Sequence, residues 1–130
     1  MSNFLILKKR KDFLRAAKDT TVIFHNVMLQ AARPLPNAVK GPARIGFTAT
    51  KKLGKAHIRN RTKRRLRAVA REIYTKYALD NVDYVLVGRY ETFCCPFENL
   101  RTDVIRAFKK INKMIQQEQK DNETNIIVDN

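Results

Sequence analysis

The sequence predicts a single α+β domain, with helices laid on a small mixed sheet. Three observations carry that expectation. The chain has 130 residues, enough for one core but not for two. Hydrophobic residues make up 44% of it, which suits a folded rather than a disordered chain. Segments with helical apolar spacing also alternate with runs of β formers, in the order α-β-β-α-β-α.

Lys8 to Lys18 reads as a short basic helix, with Phe13, Ala16 and Ala17 able to face the fold and the lysines and arginines outward. Asp19-Thr20-Thr21 ends it. Val22 to Ala31 is rich in β formers and reads as one strand, with His25 inside it. Arg33 to Pro42 holds three prolines and a glycine and must be a loop or wide connection. In the next strand, Ala43 to Thr50, one face is Arg44, Gly46, Thr48 and Thr50, and the other is Ile45, Phe47 and Ala49. The first face is small and polar, so an extended ligand could lie across it. Lys51 to Gly54 turns the chain into a helix from about Lys55 to Tyr77. Asp83 to Arg89 is apolar enough for a central strand. Tyr90 to Pro96 reads as a loop, and Phe97, Leu100, Val104, Ala107, Phe108, Ile111 and Ile115 mark a last amphipathic helix. The polar tail from Gln116 is expected to fray, giving a domain of residues 1–118 and a flexible acidic tail of residues 119–130.

Charge is the strongest functional signal. The formal net charge is +15, and from Thr20 through Arg71 thirteen Lys or Arg occur with no Asp or Glu. Six of the nine residues from Arg59 to Arg67 are basic. Their apolar neighbours Ile58, Thr62, Leu66, Val69, Ile73 and Tyr77 recur at steps of three and four, so this is an amphipathic helix rather than a basic tail. Arg59, Lys63, Arg64, Arg67 and Arg71 take the broad opposite side, with Arg61 and Arg65 toward its other edge. Like charges at i,i+4 repel by about 0.2–0.5 kcal/mol per pair, a cost that a polyanion partner reverses. Asn60 adds a donor and acceptor able to meet a base edge, a ribose or backbone. The segment therefore reads as a nucleic-acid binder.

Other classes find little support. No apolar run approaches the ~20 residues of a membrane span, and the N-terminus lacks the order of a secretory signal, so a cytoplasmic protein is expected. Cys94 and Cys95 are adjacent, without disulfide or zinc spacing, and read as two reduced thiols. His25 and His57 lack partners at metal-ligand spacing, so no protein-bound metal is expected. The most basic half of the chain has no carboxylate to act as base or to hold a metal, and no catalytic residue is assigned to the polypeptide.

The string from Ile45 to Arg67, with Lys51-Lys52 and the Arg59-Asn60-Arg61 tripeptide at its centre, closely resembles the signature of the bacterial ribonuclease P protein subunit. The resemblance extends from about Leu7 to Lys113. It implies a ribosomal-protein-like fold with a left-handed β-α-β crossover, a handedness that the usual right-handed rule does not supply. It also implies a partner, the catalytic ribonuclease P RNA, with magnesium held mainly by that RNA. The substrate would be precursor tRNA, whose 5′ leader the complex removes, and no obligate protein partner is inferred. By position, Arg59, Asn60, Arg61, Lys63, Arg64 and Arg67 match the RNA-contacting motif, while Phe13, Thr48, Thr50 and Lys51 match the leader cleft. Family members often carry a second cleft aromatic one turn after the Phe13 position, where this chain has Ala17. Competing readings are a general RNA-binding protein, a DNA-binding helix without an evident helix-turn-helix, and a self-sufficient metal nuclease.

Overall fold

The computed structural model describes residues 4–36 and 40–128, with side chains as far as Gln117. The chain order is β1 (Leu5–Ile6), α1 (Arg10–Lys18), β2 (Thr20–Ile23), β3 (Val27–Ala32), β4 (Arg44–Thr48), a 3₁₀ turn (Lys51–Leu53), α2 (Ala56–Tyr77), β5 (Asp83–Gly88), α3 (Tyr90–Cys94) and α4 (Phe97–Val128). The five strands form one mixed sheet in the order β1-β4-β5-β3-β2. β4 is parallel to β1 and to β5, while β3 is antiparallel to β5 and β2. The α+β class holds, and the element order gains three members.

Each addition has a physical reason. β1 is two residues long, too short to show alternation, and it is held by β4 and by the Leu7 N–H donating to the Ile45 carbonyl at 3.0 Å. The single strand expected over Val22–Ala31 is a hairpin instead, and His25 lies in its turn rather than in a strand. That turn has no glycine or proline. Asp103, far along the chain in α4, holds it by accepting from the Asn26 backbone N–H and Nδ2 at 3.0 and 2.9 Å. The Thr92 hydroxyl donates to the Asn26 carbonyl at 2.5 Å. The expected loop at Tyr90–Pro96 contains α3, started by the Thr92 hydroxyl accepting from the Arg89 N–H at 2.9 Å. α4 runs past Ile115 as helical backbone to Val128. The sequence boundary between residues 1–118 and 119–130 falls where side chains lie outside the described residues.

The sheet has a helix layer on each face. α2 and α4 cover one side, burying Val27, Leu29, Ile45, Tyr84 and Leu86 against Leu66, Val69, Ile73, Val104, Phe108 and Ile111. The Tyr84 ring lies tilted against Phe108 with centroids 4.7 Å apart, and its hydroxyl donates to Asn112 Oδ1 at 2.6 Å. Burial pushes this phenol well above its ordinary pKa. The opposite face has a smaller cluster, Leu7, Ala16, Ala32 and Val85, with Phe13 and Val87 at its margin. Here α1 is fastened by ions: Asp83, 5% exposed, accepts from Arg15 Nη2 at 2.6 Å and from Arg44 Nε and Nη2 at 2.9 and 2.6 Å. Those bonds hold the Arg44 guanidinium above its ordinary pKa.

Candidate nucleic-acid interface

α2 buries four of the residues that its spacing selects, adds Ala70 to them, and leaves Ile58 and Tyr77 half-buried at its ends. Thr62, Leu66, Val69, Ala70 and Ile73 face the sheet, and the Thr62 hydroxyl turns back to donate to the Ile58 carbonyl at 2.8 Å. The helix seats closely because β5 ends in Gly88, where a Cβ would collide with the Thr62 methyl. Asn60, Arg61, Arg64, Arg67 and Arg71 are exposed as a result, and Arg59 and Lys63 are half-buried. Among the described residues, no ion pair joins Arg59, Arg61, Lys63, Arg64, Arg67 or Arg71 to an acid. Glu72, the acid of α2, is taken by Arg101 at 2.6 and 3.1 Å, which holds its carboxyl below the ordinary range. The positive field of this face is therefore uncompensated.

Three of these cations rest on aromatic rings. The Arg67 guanidinium lies 5.6 Å from the Phe47 centroid and Arg61 lies 5.4 Å from that of Phe93. Arg65 lies 5.9 Å from Phe97. Arg61 reaches the Phe93 carbonyl only at 3.4 Å, whereas Arg65 donates to it at 2.7 Å and to the Cys95 carbonyl as well. Arg65 ties α2 to the end of α3, whereas Arg61 and Arg64 stay exposed beside it. Burial pushes the nearby Cys95 thiol up, which keeps it protonated.

The sheet face under α1 holds the second set of expected residues. Phe13 is half-buried against Gly46, where a Cβ would lie 2.6 Å from two of its ring carbons. Thr48 follows on the same face, half-exposed, and Thr50 and Lys51 stand exposed where the chain leaves β4. Strand pairing extends Thr48 into a row that the sequence did not show. Thr48 pairs with Val87, Val87 with Met28, and Met28 with Ile23. Thr48, Val87 and Met28 are half-exposed and Ile23 is 59% exposed, so a shallow, largely apolar strip crosses four strands. Its span is roughly 14 Å. Val87 lies in a strand without polar alternation, and Met28 only takes its place once the hairpin is known. No pattern in the sequence flagged either.

The two surfaces meet at one end. Gly88, packed on Thr62 of the basic helix, lies next to the Thr48 end of the strip, and a Cβ there would also approach the Thr48 carbonyl at 3.5 Å. Ala17, one turn after Phe13, is exposed on α1 rather than facing the fold. Among the described residues no group of three or more His, Cys, Asp or Glu could hold a metal ion. No helix among them is long and apolar enough to cross a membrane.

Comparison with known proteins points to one family. Residues 1–112 match the family model described as Ribonuclease P. The ribonuclease P protein component of Ruegeria pomeroyi is 40% identical over 112 residues, which covers 85% of this chain and 89% of that protein. The component of Gluconacetobacter diazotrophicus is 44% identical over 105 residues, covering 80% and 88%. Among solved structures, the RNase P protein of Staphylococcus aureus superposes with a TM-score of 0.67 at 21% identity, covering 84% of this chain and 96% of that one. The RNase P protein of Thermotoga maritima gives 0.67 at 22% identity, covering 81% and 96%. The structures speak for the fold, and the family match and sequence relatives speak for kinship: the chain belongs to the ribonuclease P protein family.

Proposed function

We propose that the exposed side of α2 binds the catalytic ribonuclease P RNA, and that the strip beside α1 carries the single-stranded 5′ leader of precursor tRNA. The carrying observation is the shared corner at Gly88, where Thr62 of α2 and the Thr48 end of the strip meet. A phosphodiester bond held at that corner would have the leader running away over the sheet and the catalytic RNA gripped by the helix. Arg59, Arg61, Lys63, Arg64 and Arg67 meet phosphates, and Asn60 supplies a neutral donor and acceptor for ribose or base. Phe13, Thr48, Thr50 and Lys51 line the leader path, joined by Val87, Met28 and Ile23. Apolar and aromatic contacts of this kind tolerate many leader sequences, because every base offers a stacking face.

The polypeptide's part is positional and electrostatic. It brings two polyanions together, lowers their repulsion and holds the leader in line, while hydrolysis belongs to the RNA. Magnesium belongs to the RNA as well, whose phosphate and base oxygens suit it better than this chain's donor set. The complex acts in the cytoplasm, where its tRNA precursors are made.

Phe13→Ala tests the leader assignment. In the reconstituted complex, affinity for leader-bearing precursor is expected to fall on the order of tenfold while affinity for mature tRNA stays unchanged. Equal weakening of both substrates would make Phe13 a packing residue and nothing more.

A further inference from the structure

Beyond the edge strand, the apolar strip leads to a second basic surface. Ile23 ends the row on the α1 side of the sheet. The next residue, Phe24, packs toward the other side, beneath α4. Around it Arg106, Lys109, Lys110 and Lys113 follow one another at i, i+3, i+4 and i+7, lining a groove of about 470 Å³ with Phe24 as its apolar wall. The Arg106 guanidinium lies 5.2 Å and the Lys110 ammonium 5.8 Å from the Phe24 ring centroid, and Lys109 lies 5.8 Å from that of Tyr77. The strand end itself is pinned, since Arg89, the residue after Gly88, donates to the Phe24 carbonyl at 2.9 Å.

A stripe of lysines on a solvated helix is ordinarily mobile and mixed in sign. This one differs in both respects. Aromatic rings hold Arg106, Lys109 and Lys110 in place, which lowers the entropy lost when they grip a ligand. Among the described residues the one acid in contact is Asp103, 3.8 Å from Arg106 and already committed to Asn26. The stripe is also separate from the basic face of α2. The Arg101 cluster with Glu72 and Glu98 stands between them, and Tyr77 lies about 15 Å along α2 from Arg67.

We propose that this α4 groove binds the phosphodiester backbone of the upstream part of the leader, after it has crossed the strip and turned around the β2 edge. The inference rests on the leader assignment above and extends it. Thr48 would hold the nucleotides nearest the cleavage site, Ile23 those farther upstream, and Arg106, Lys110 and Lys113 the phosphates beyond. Charge complementarity and the unbroken row of paired residues leading to Phe24 favour this occupant over folded RNA. Short leaders would end on the sheet, and only long ones would gain from α4.

The test uses the complex reconstituted with catalytic RNA and a triple variant, Arg106→Ala, Lys110→Ala and Lys113→Ala. Binding is measured over a range of salt for mature tRNA, for a precursor whose leader spans only the ~14 Å strip, and for one with a longer unstructured leader. The wild type is expected to prefer the long leader to the short one. The variant is expected to lose that added affinity together with about 2 units of the log–log salt slope, at some 0.7 per single-strand phosphate. Its binding of the short-leader precursor and of the catalytic RNA should match the wild type. An unchanged long-leader preference in the variant would overturn the α4 extension and leave the strip standing. Equal weakening of catalytic-RNA binding would assign the groove to folded RNA instead. A wild type that binds the short-leader precursor no better than mature tRNA would overturn the strip, and the extension with it.

Discussion

Replacing Arg59, Lys63, Arg64 and Arg67 together by alanine is expected to weaken binding of ribonuclease P RNA on the order of 100-fold at ~0.15 M salt, and to flatten the log–log salt slope by about 3–4 units. The reason is counterion release: each phosphate neutralised by a protein cation frees bound ions and contributes about 0.9 to the slope. None of these four side chains is paired with an acid among the described residues, so their charge is available to a partner without an internal pair being broken first. Folding should survive, because the buried side of α2 is Thr62, Leu66, Val69, Ala70 and Ile73, which the substitutions leave intact. The removal of like charges at i,i+4 and alanine's helix preference offset the lost Arg67–Phe47 contact. Lys109→Ala with Lys110→Ala is the charge control and should barely change assembly. Equal losses from both sets would mean that net charge of +15, not the α2 face, drives binding.

Asp83→Ala is expected to be the most damaging single change to the leader side of the molecule. The Asp83 carboxylate, with its side chain 7% exposed, holds Arg15 of α1 and Arg44 of β4 at once. Removing it leaves Arg15 with the Arg33 carbonyl and Arg44 with Asp12 at 3.6 Å, and loosens α1, which carries Phe13. Both arginines are partly exposed, 30% and 39% at the side chain, so they can turn toward water and the cost stays moderate. About 2–3 kcal/mol follows from losing charge-assisted bonds at a site of this kind. For a domain this size that corresponds to a fall in Tm of roughly 10 °C. A functional loss should accompany it, because a loosened α1 no longer shapes the edge of the strip, and preference for precursor over mature tRNA should drop. Asp83→Asn keeps an acceptor and should fall between wild type and alanine. A Tm within ~2 °C of wild type would show that the apolar packing of Leu7, Ala16 and Val85, with the Asp12–Arg44 pair, docks α1 without Asp83.

What the sequence disclosed follows from how local each signal is. The inward residues of α2 and α4 could be read because helical spacing repeats over several turns, and Leu66, Val69, Ile73, Phe108 and Ile111 are buried as expected. The two faces of β4 were equally plain, since Gly46 and Thr48 alternate with Ile45 and Phe47. The β2–β3 turn was hidden because its stabilising partner, Asp103, lies far away in sequence, and Asn26 is a lone turn former without glycine or proline amid β formers. The strip was hidden for the same kind of reason. Ile23, Met28, Val87 and Thr48 come from four strands and become neighbours only through register. Even within the basic helix, spacing could not separate Arg65, bound to the carbonyls of Phe93 and Cys95, from Arg64, which stays exposed. Composition reports that a surface is cationic; packing decides which cations remain free for RNA.

The most direct measurement is cleavage of precursor tRNA at low magnesium by this protein alone, by a bacterial ribonuclease P RNA alone, and by the two together. The expected result is cleavage at the mature 5′ end in the mixture, little from the RNA alone under these conditions, and none from the protein. Cleavage by RNA-free protein, or a mixture no more active than the RNA alone, would contradict the role proposed for the α2 face and the leader strip.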